Sequence, residues 1–360
     1  EIVQLSHRLK APVAYSFKSK MEIQYDNPNE VGMTGLLGMA SGYNSMHAAD
    51  VLVLLGTDFP YGPFLPTHNK IVQIDIDPSH LGRRAKVQMG LCGDIKTTLE
   101  ALLPLLQAKS DKSFLNDQLL GYSKVIKDLN AYVENKGSDN KIHPEYVMAM
   151  VDETAQANAI FTVDTGMTCV WGARYLKASG QRKMLGSFNH GTMANAMPQA
   201  IGASFAYPGR QVIALCGDGG ISMLLGDLAT IAQYKLPVKI IVFNNRSLVK
   251  LEMEVAGLPD NETDMQNPDF ALVAQAMGIK SYTVSRPDDV LPVLVEALNS
   301  PEAALLNVMT DPNALAMPPQ IEWNQMTGFA QAMYKMLLTG RTQEIIDTIN
   351  SNYKHLKEIL

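Results

Sequence analysis

Residues 211–245 read QVIALCGDGGISMLLGDLATIAQYKLPVKIIVFNN and carry the strongest architectural signal in the chain. The apolar run from Gln211 to Cys216 stops at Gly217, Asp218, Gly219 and Gly220, and helical spacing starts near Ile221. A second apolar run, Val238 to Phe243, ends in Asn244 and Asn245. Strand, glycine turn, helix and strand in that order predict two parallel strands joined by a helical crossover. Parallel neighbours end at the same edge of a sheet, so the Asp218 carboxylate and the Asn245 side-chain oxygen are expected to converge there. Glycines at the turn let backbone amides approach a phosphate. Two hard oxygen ligands beside bound phosphate describe a Mg2+ site. The plainer reading, Asp218 as a helix cap and Asn244–Asn245 as a turn, explains neither the pairing nor the spacing.

The same alternation extends through the chain and predicts an α/β protein with two doubly wound parallel-sheet domains and helices on both faces. The first block has expected strands at Val13–Phe17, Val51–Leu55, Ile71–Ile76 and Lys86–Leu91. Its expected helices are Met39–Ala49 and, behind Asp94 as N-cap, Ile95 to about Gln107. The second block adds strands at Ala159–Val163, Met184–Ser187, Ser281–Val284 and Ala304–Met309 to the two already named. The domains are expected at residues 1–108, 109–142 as connecting helix and linker, 143–320, and 321–360 as C-terminal helices. The linker rests on Phe114–Glu134 as a helix followed by the polar run Asn135 to Lys141. A Pro-containing stretch, Ala316–Gln320, precedes two final helices, Gln325–Leu338 and Thr342–Ile359.

At 360 residues the chain is long enough for two domains, and its 18% charged content is low for a soluble surface, which favours a homo-oligomer, dimer or tetramer. A net charge of −6 gives no reason to bind nucleic acid. Cys92, Cys169 and Cys216 show no metal or disulfide spacing and read as buried thiols in a reducing cytoplasm. No apolar run reaches the roughly 18 residues that a membrane helix needs. In the first block, Val51–Leu55 ends in Gly56 and Thr57, and the next strand ends at Asp75 and Asp77. An acid at that distance commonly takes ribose hydroxyls, although Asp77–Pro78 also makes an ordinary turn.

GDG followed by paired asparagines, with SFNHGTMANAMPQAIGA ahead of them, resembles the thiamine-diphosphate enzymes, and among them the bacterial pyruvate oxidases and pyruvate:quinone oxidoreductases of the acetolactate synthase superfamily. The resemblance implies thiamine diphosphate, Mg2+ and FAD as cofactors. It implies Asp218 and Asn245 as side-chain metal ligands, with a backbone carbonyl near Ser247 as a third. It places Gly217, Asp218, Gly219, Gly220, Asn245, Ser247 and Leu248 at the diphosphate. Gly191, Thr192 and Met193 would support the bent cofactor, and Asp164, Thr165 and Gly166 would face its aminopyrimidine ring. It assigns Thr34, Gly35, Leu36, Leu37, Thr57, Asp58, Phe59, Pro60, Tyr61, Asp75 and Asp94 to FAD, with helix capping an equal reading for Asp94.

The activity so implied is oxidative decarboxylation of pyruvate, with electrons passing to FAD and then to quinone (acetate and CO2) or oxygen (acetyl phosphate and H2O2). The alternatives are acetolactate synthase-type carboligation and a non-catalytic FAD-binding or assembly fragment. The family's activating glutamate lies on an N-terminal pyrimidine-binding domain. Glu1 lacks its strand-to-helix setting, so no catalytic residue is assigned and the chain is expected to be a fragment or processed form. After Asn245, relatives carry a glycine and a bulky residue, whereas this chain reads Arg246 to Glu252 and is about two residues shorter. In the last helix Ile345, Ile346, Ile349, Tyr353, Leu356 and Leu360 recur at helical spacing, with Lys354 and Lys357 nearby. That stripe leaves two readings: packing on protein, or peripheral contact at the inner face of the cell membrane.

Overall fold

The computed structural model describes residues 1–59, 62–134, 141–248, 250–258, 263–314 and 323–356. The chain divides into two compact units, and the boundary along the sequence falls between Lys127 and Asp128.

In the first unit, β1 (Val13–Tyr15) pairs in parallel with β2 (Glu30–Met33). A separate sheet has the order β3 (Val51–Leu55), β4 (Lys70–Asp75), β5 (Met89–Cys92), again parallel. The strand β2 was not expected, because its four residues, Glu-Val-Gly-Met, show too short an apolar pattern. The strand expected at Lys86–Leu91 begins three residues later and is exposed throughout, so Cys92 at its end is not buried. Helix Ile95–Leu102 is capped by Asp94, whose carboxylate accepts from Thr97 N at 2.9 Å, and it gives way to a 3-10 turn where Pro104 enters.

The second unit is built on one six-stranded parallel sheet. Its strands are β6 (Ile160–Val163), β7 (Lys183–Gly186), β8 (Val212–Gly217), β9 (Lys239–Asn244), β10 (Lys280–Val284) and β11 (Ala304–Met309), in the order β10-β11-β9-β8-β6-β7. Every residue of β6 and β9 is buried, as a parallel sheet covered on both faces requires. Side chains alternate with period two. Val212, Ala214 and Cys216 of β8 and Ile240 and Val242 of β9 pack on Ala196, Met197 and Ala200 of helix Ala196–Ala206 and on Phe270 of helix Phe270–Ala276. Such a core tolerates few polar residues, yet Thr162, Asn244 and Asn307 lie within it.

The final helices span Trp323–Leu338 and Thr342–Leu356. On the last, Thr348, Ser351 and Asn352 are buried, with Ser351 Oγ donating to Asp311 Oδ2 and Asn352 Nδ2 to Asn313 O, whereas Ile346 and Ile349 are exposed. Lys357 and Leu360 of the expected stripe lie outside the described residues, as do residues 135–140 of the linker and Ala316–Gln320. No helix among the described residues is long and apolar enough to cross a membrane.

Candidate functional site

The sheet order places the site. From β6 the chain moves outward to β7 on one side, then returns to β8 on the other, so the connections leaving β6 and β8 diverge above their carboxyl ends. A crevice opens at such a switch point. Asp164 follows β6, Asp218 follows β8, and Asn245 follows β9, whose Phe243 lies level with Gly217. Three polar residues distant in sequence thus share one edge.

Asp218 opens the short helix Asp218–Met223 and is buried. Its Oδ2 accepts from Arg246 N and from Asn267 Nδ2, each at 2.8 Å, while Oδ1 accepts only from the adjacent Gly219 N at 2.9 Å among the described contacts. Burial pushes its carboxyl above the usual range. Asn245 Oδ1 accepts from Ser247 N at 3.0 Å, and Ser247 Oγ is buried without a hydrogen-bond partner among the described residues. Arg246 takes a left-handed φ of 55°, and the loop is clamped by residues beyond it: Leu248 N donates to Thr263 O and Met265 N to Arg246 O. Val249 lies outside the described residues.

The donor set fits Mg2+. It offers one carboxylate plus amide and carbonyl oxygens, and a cation would offset the burial cost of Asp218. Among the described residues no cluster of three His, Cys, Asp or Glu side chains exists to hold a metal. One protein carboxylate with neutral oxygens matches a cation whose remaining charge is met by a diphosphate. The residues that would hold it are Asp218, Asn245 and the backbone at Ser247.

Asp164 turns inward. It is 1% exposed; its Oδ1 accepts from Thr165 N (3.2 Å), Asn195 N (3.1 Å) and Asn195 Nδ2 (3.3 Å), while Oδ2 is buried without a partner among the described residues. That orphan oxygen lies against Gly220, where a Cβ would fall 1.6 Å from it. The glycine is therefore required by a carboxylate as well as by any phosphate. Gly219 has different neighbours: a Cβ there would stand 3.3 Å from both Met193 Cε and Leu248 Cδ1. Met193 and Leu248, far apart in sequence, are thereby brought to the same glycine. Thr165 Oγ1 donates to Thr192 O at 2.8 Å, tying the two expected loops together. Gly166 (φ 119°) caps helix Met167–Tyr175, and Gly191 (φ 67°) precedes the half-buried Met193.

Burial pushes the Asp164 carboxyl up to about 6 from 3.8. A raised folded-state value means the folded chain binds the proton more tightly. The stabilising contribution is complete below pH 4 and is lost as pH rises through 6. At about 1.4 kcal/mol per pKa unit the loss is roughly 3 kcal/mol. Asp164→Asn removes the titration, so in cofactor-free protein its stability relative to wild type should rise by that amount between pH 4 and 7. Denaturant titrations across this range measure it, and a pH-independent difference would contradict the assignment.

In the first unit Thr34, Gly35, Leu36 and Leu37 form a turn in which Gly35 has φ 96° and Gly38 N donates to Gly35 O. Leu36 is half exposed, Phe59 is buried, and Thr57 O accepts from Gln73 Nε2 at 3.5 Å. Asp58 is held by Arg83 and Arg84, which keep its carboxyl below the usual range. Asp75 accepts from Asp77 N and lies 3.2 Å from His80 Nδ1, while Asp94 serves as the helix cap already described. Pro60 and Tyr61 lie outside the described residues.

Two participants went unread in the sequence. Asn195 holds Asp164 from just before a helix, a position with no distinctive spacing. Asn267 reaches Asp218 from the Asn-Pro-Asp-Phe stretch, whose visible signal was only that of a helix start.

Comparison with known proteins agrees with this geometry. Residues 1–102 match the central domain of thiamine pyrophosphate enzymes, and residues 164–308 match their C-terminal TPP binding domain. YdaP of Bacillus subtilis (strain 168), described by its name as thiamine pyrophosphate-containing, is 33% identical over 351 residues, covering 96% of this chain and 60% of that protein. The acetolactate synthase large subunits of Pyropia yezoensis and Porphyra purpurea are 30% and 29% identical over 347 residues, covering 92% of this chain and 58% of each relative. The chain thus spans about three fifths of the length of these relatives. With both domain matches in chain order, and with Asp218, Asn245 and the glycine pair at one sheet edge, the chain belongs to the thiamine pyrophosphate-dependent enzymes.

Proposed function

We propose that this chain supplies the diphosphate- and Mg2+-binding part of an acetolactate synthase-type enzyme, which decarboxylates a 2-oxo acid such as pyruvate and joins the remaining two-carbon unit to a second 2-oxo acid. The observation that carries the reading is the meeting of Asp218, Asn245 and the Gly219–Gly220 turn at the switch point between β6 and β8. The relatives named acetolactate synthase, aligned over most of the chain, favour carboligation. Bound thiamine diphosphate supplies a carbon nucleophile and an electron sink for the decarboxylation, chemistry that side chains lack. In this reading the residues bind and orient: Asp218 and Asn245 fix the metal, Gly219 and Gly220 admit the diphosphate, and Met193 and Leu248 form the apolar wall above Gly219.

A second reading, oxidative decarboxylation of pyruvate through FAD to quinone or oxygen, draws on the turn at Gly35 and on Asp75 at the end of β4. The two are separated in the protein purified with its cofactors by adding pyruvate without oxygen. Carboligation predicts acetolactate with unchanged flavin absorbance, whereas oxidation predicts bleaching of bound flavin and no acetolactate. A homo-oligomer, proposed earlier from the low charge, is supported by the exposed apolar side chains of Phe205, Tyr207, Met223, Leu224 and Tyr234, and its mass in solution is the check.

A further inference from the structure

Three asparagines stand in series behind Asp218. Asn307 of β11 lies level with Val242 of β9, so its side chain shares a face with that of Asn244 two residues on, and both are 2% exposed. Asn244 Nδ2 donates to Asn307 Oδ1 at 3.0 Å. Asn267 Nδ2 donates to Asn244 Oδ1 at 2.9 Å and to Asp218 Oδ2 at 2.8 Å. The polarity of this chain is dictated from its end. An ionised carboxylate only accepts, so Asn267 must turn its nitrogen to Asp218; the same nitrogen then needs an oxygen from Asn244, whose own nitrogen needs the oxygen of Asn307. Asn267 is held in place on both sides. Pro268 restricts its backbone, Asp269 caps the next helix through Ala271 N and Leu272 N, and residues 263 and 265 bond to the loop after Asn245.

We propose that this asparagine chain sets the cation preference of the site, with Asn267 as the positioning residue. Asn267 and Arg246 N together occupy Asp218 Oδ2, leaving Oδ1, which accepts only from Gly219 N among the described contacts, as the oxygen that would meet the cation. A carboxylate restricted to one oxygen suits Mg2+, which demands near-ideal octahedral geometry. A carboxylate free to offer both oxygens suits Ca2+, which accepts bidentate carboxylates and more ligands. The inference rests on the reading of Asp218 as a metal ligand.

The test measures thiamine diphosphate binding by calorimetry with Mg2+ or Ca2+ as the only divalent cation, in wild type and in Asn267→Leu. Loss of an outer partner of a metal ligand typically costs 10–100-fold in affinity. Asn267→Leu should weaken Mg2+-supported binding by at least about tenfold while sparing Ca2+, shifting the preference towards Ca2+ by a similar factor. Equal weakening with both cations would mark a purely structural role and overturn the proposal, as would an unchanged ratio. Asn307→Leu, one link beyond Asn244, should shift the ratio in the same direction by a smaller factor, and it decides the matter if the first variant does not fold. An unchanged ratio there then overturns the proposal. Asp218→Ala separates the two levels: cation-independent binding in both it and wild type removes the metal reading itself, whereas lost binding with an unchanged ratio in the asparagine variants removes only the role of the chain.

Discussion

Gly220→Ala is expected to weaken thiamine diphosphate binding by about 100-fold or more and to destabilise the second unit by roughly 1–3 kcal/mol, the usual cost of forcing extra volume into a packed site. The added Cβ would lie 1.6 Å from Asp164 Oδ2 and 2.7 Å from its Cγ. Asp164 has no easy retreat, since its other oxygen accepts from Thr165 N, Asn195 N and Asn195 Nδ2. Either those bonds break or the helix starting at Asp218 moves off the end of β8. Both disturb the geometry that would present Asp218 to a cation. Gly219→Ala is the contrasting control, because its Cβ would meet the side-chain ends of Met193 and Leu248 at 3.3 Å and Met265 Sδ at 3.9 Å rather than a fixed carboxylate. It should cost less than about 1 kcal/mol of stability. Denaturant unfolding and calorimetric titration with Mg2+ present read both effects. Adding Asp164→Ala to Gly220→Ala should restore part of the lost stability, because the two changes act on one contact. Wild-type binding and stability in Gly220→Ala would refute the account.

Asp218→Ala should abolish the dependence of thiamine diphosphate binding on Mg2+. For wild type at ligand concentrations near 100 times the dissociation constant, stabilisation should reach about 2.7 kcal/mol, and the variant should gain nothing under the same conditions. The effect is large because Asp218 is the one carboxylate in the proposed ligand set, and its Oδ2 also anchors Arg246 N and Asn267 Nδ2. The sign follows from burial. Its carboxyl is pushed upward in the cation-free chain, so a cation that restores the ionised form stabilises the fold. Thermal unfolding with and without Mg2+ and thiamine diphosphate measures this, and a retained shift in Asp218→Ala would exclude it as a ligand.

Much of the second unit was legible because its signals are local. All six strands were expected within a residue or so of where they fall: the four inner ones, β6, β8, β9 and β11, are buried and almost continuously apolar, whereas the edge strands β7 and β10 are partly exposed and mix apolar with polar residues. The placing of Asp218 and Asn245 at one sheet edge was expected from the adjacency of their strands, and β8 and β9 do pair. The first unit was harder to read: β2 is four residues long and β5 is exposed, so neither carries a clear burial pattern.

Asp164 shows where such reading stops. Its position after a strand was visible, but its direction was not: the side chain points at Gly220, a residue brought near only when β6 and β8 become neighbours. Asn267, Asn244 and Asn307 are separated along the chain and share no period, yet they form one hydrogen-bonded series because β9 and β11 pair and the segment before helix Phe270–Ala276 folds back over them. Period and punctuation are properties of neighbouring residues, so the amino-acid order settled the α/β architecture and the two carboxylates at strand ends. Hydrogen-bond partners are properties of space, so what holds Oδ2 of Asp218, and why Gly220 bears no side chain, were settled by the packing of distant segments.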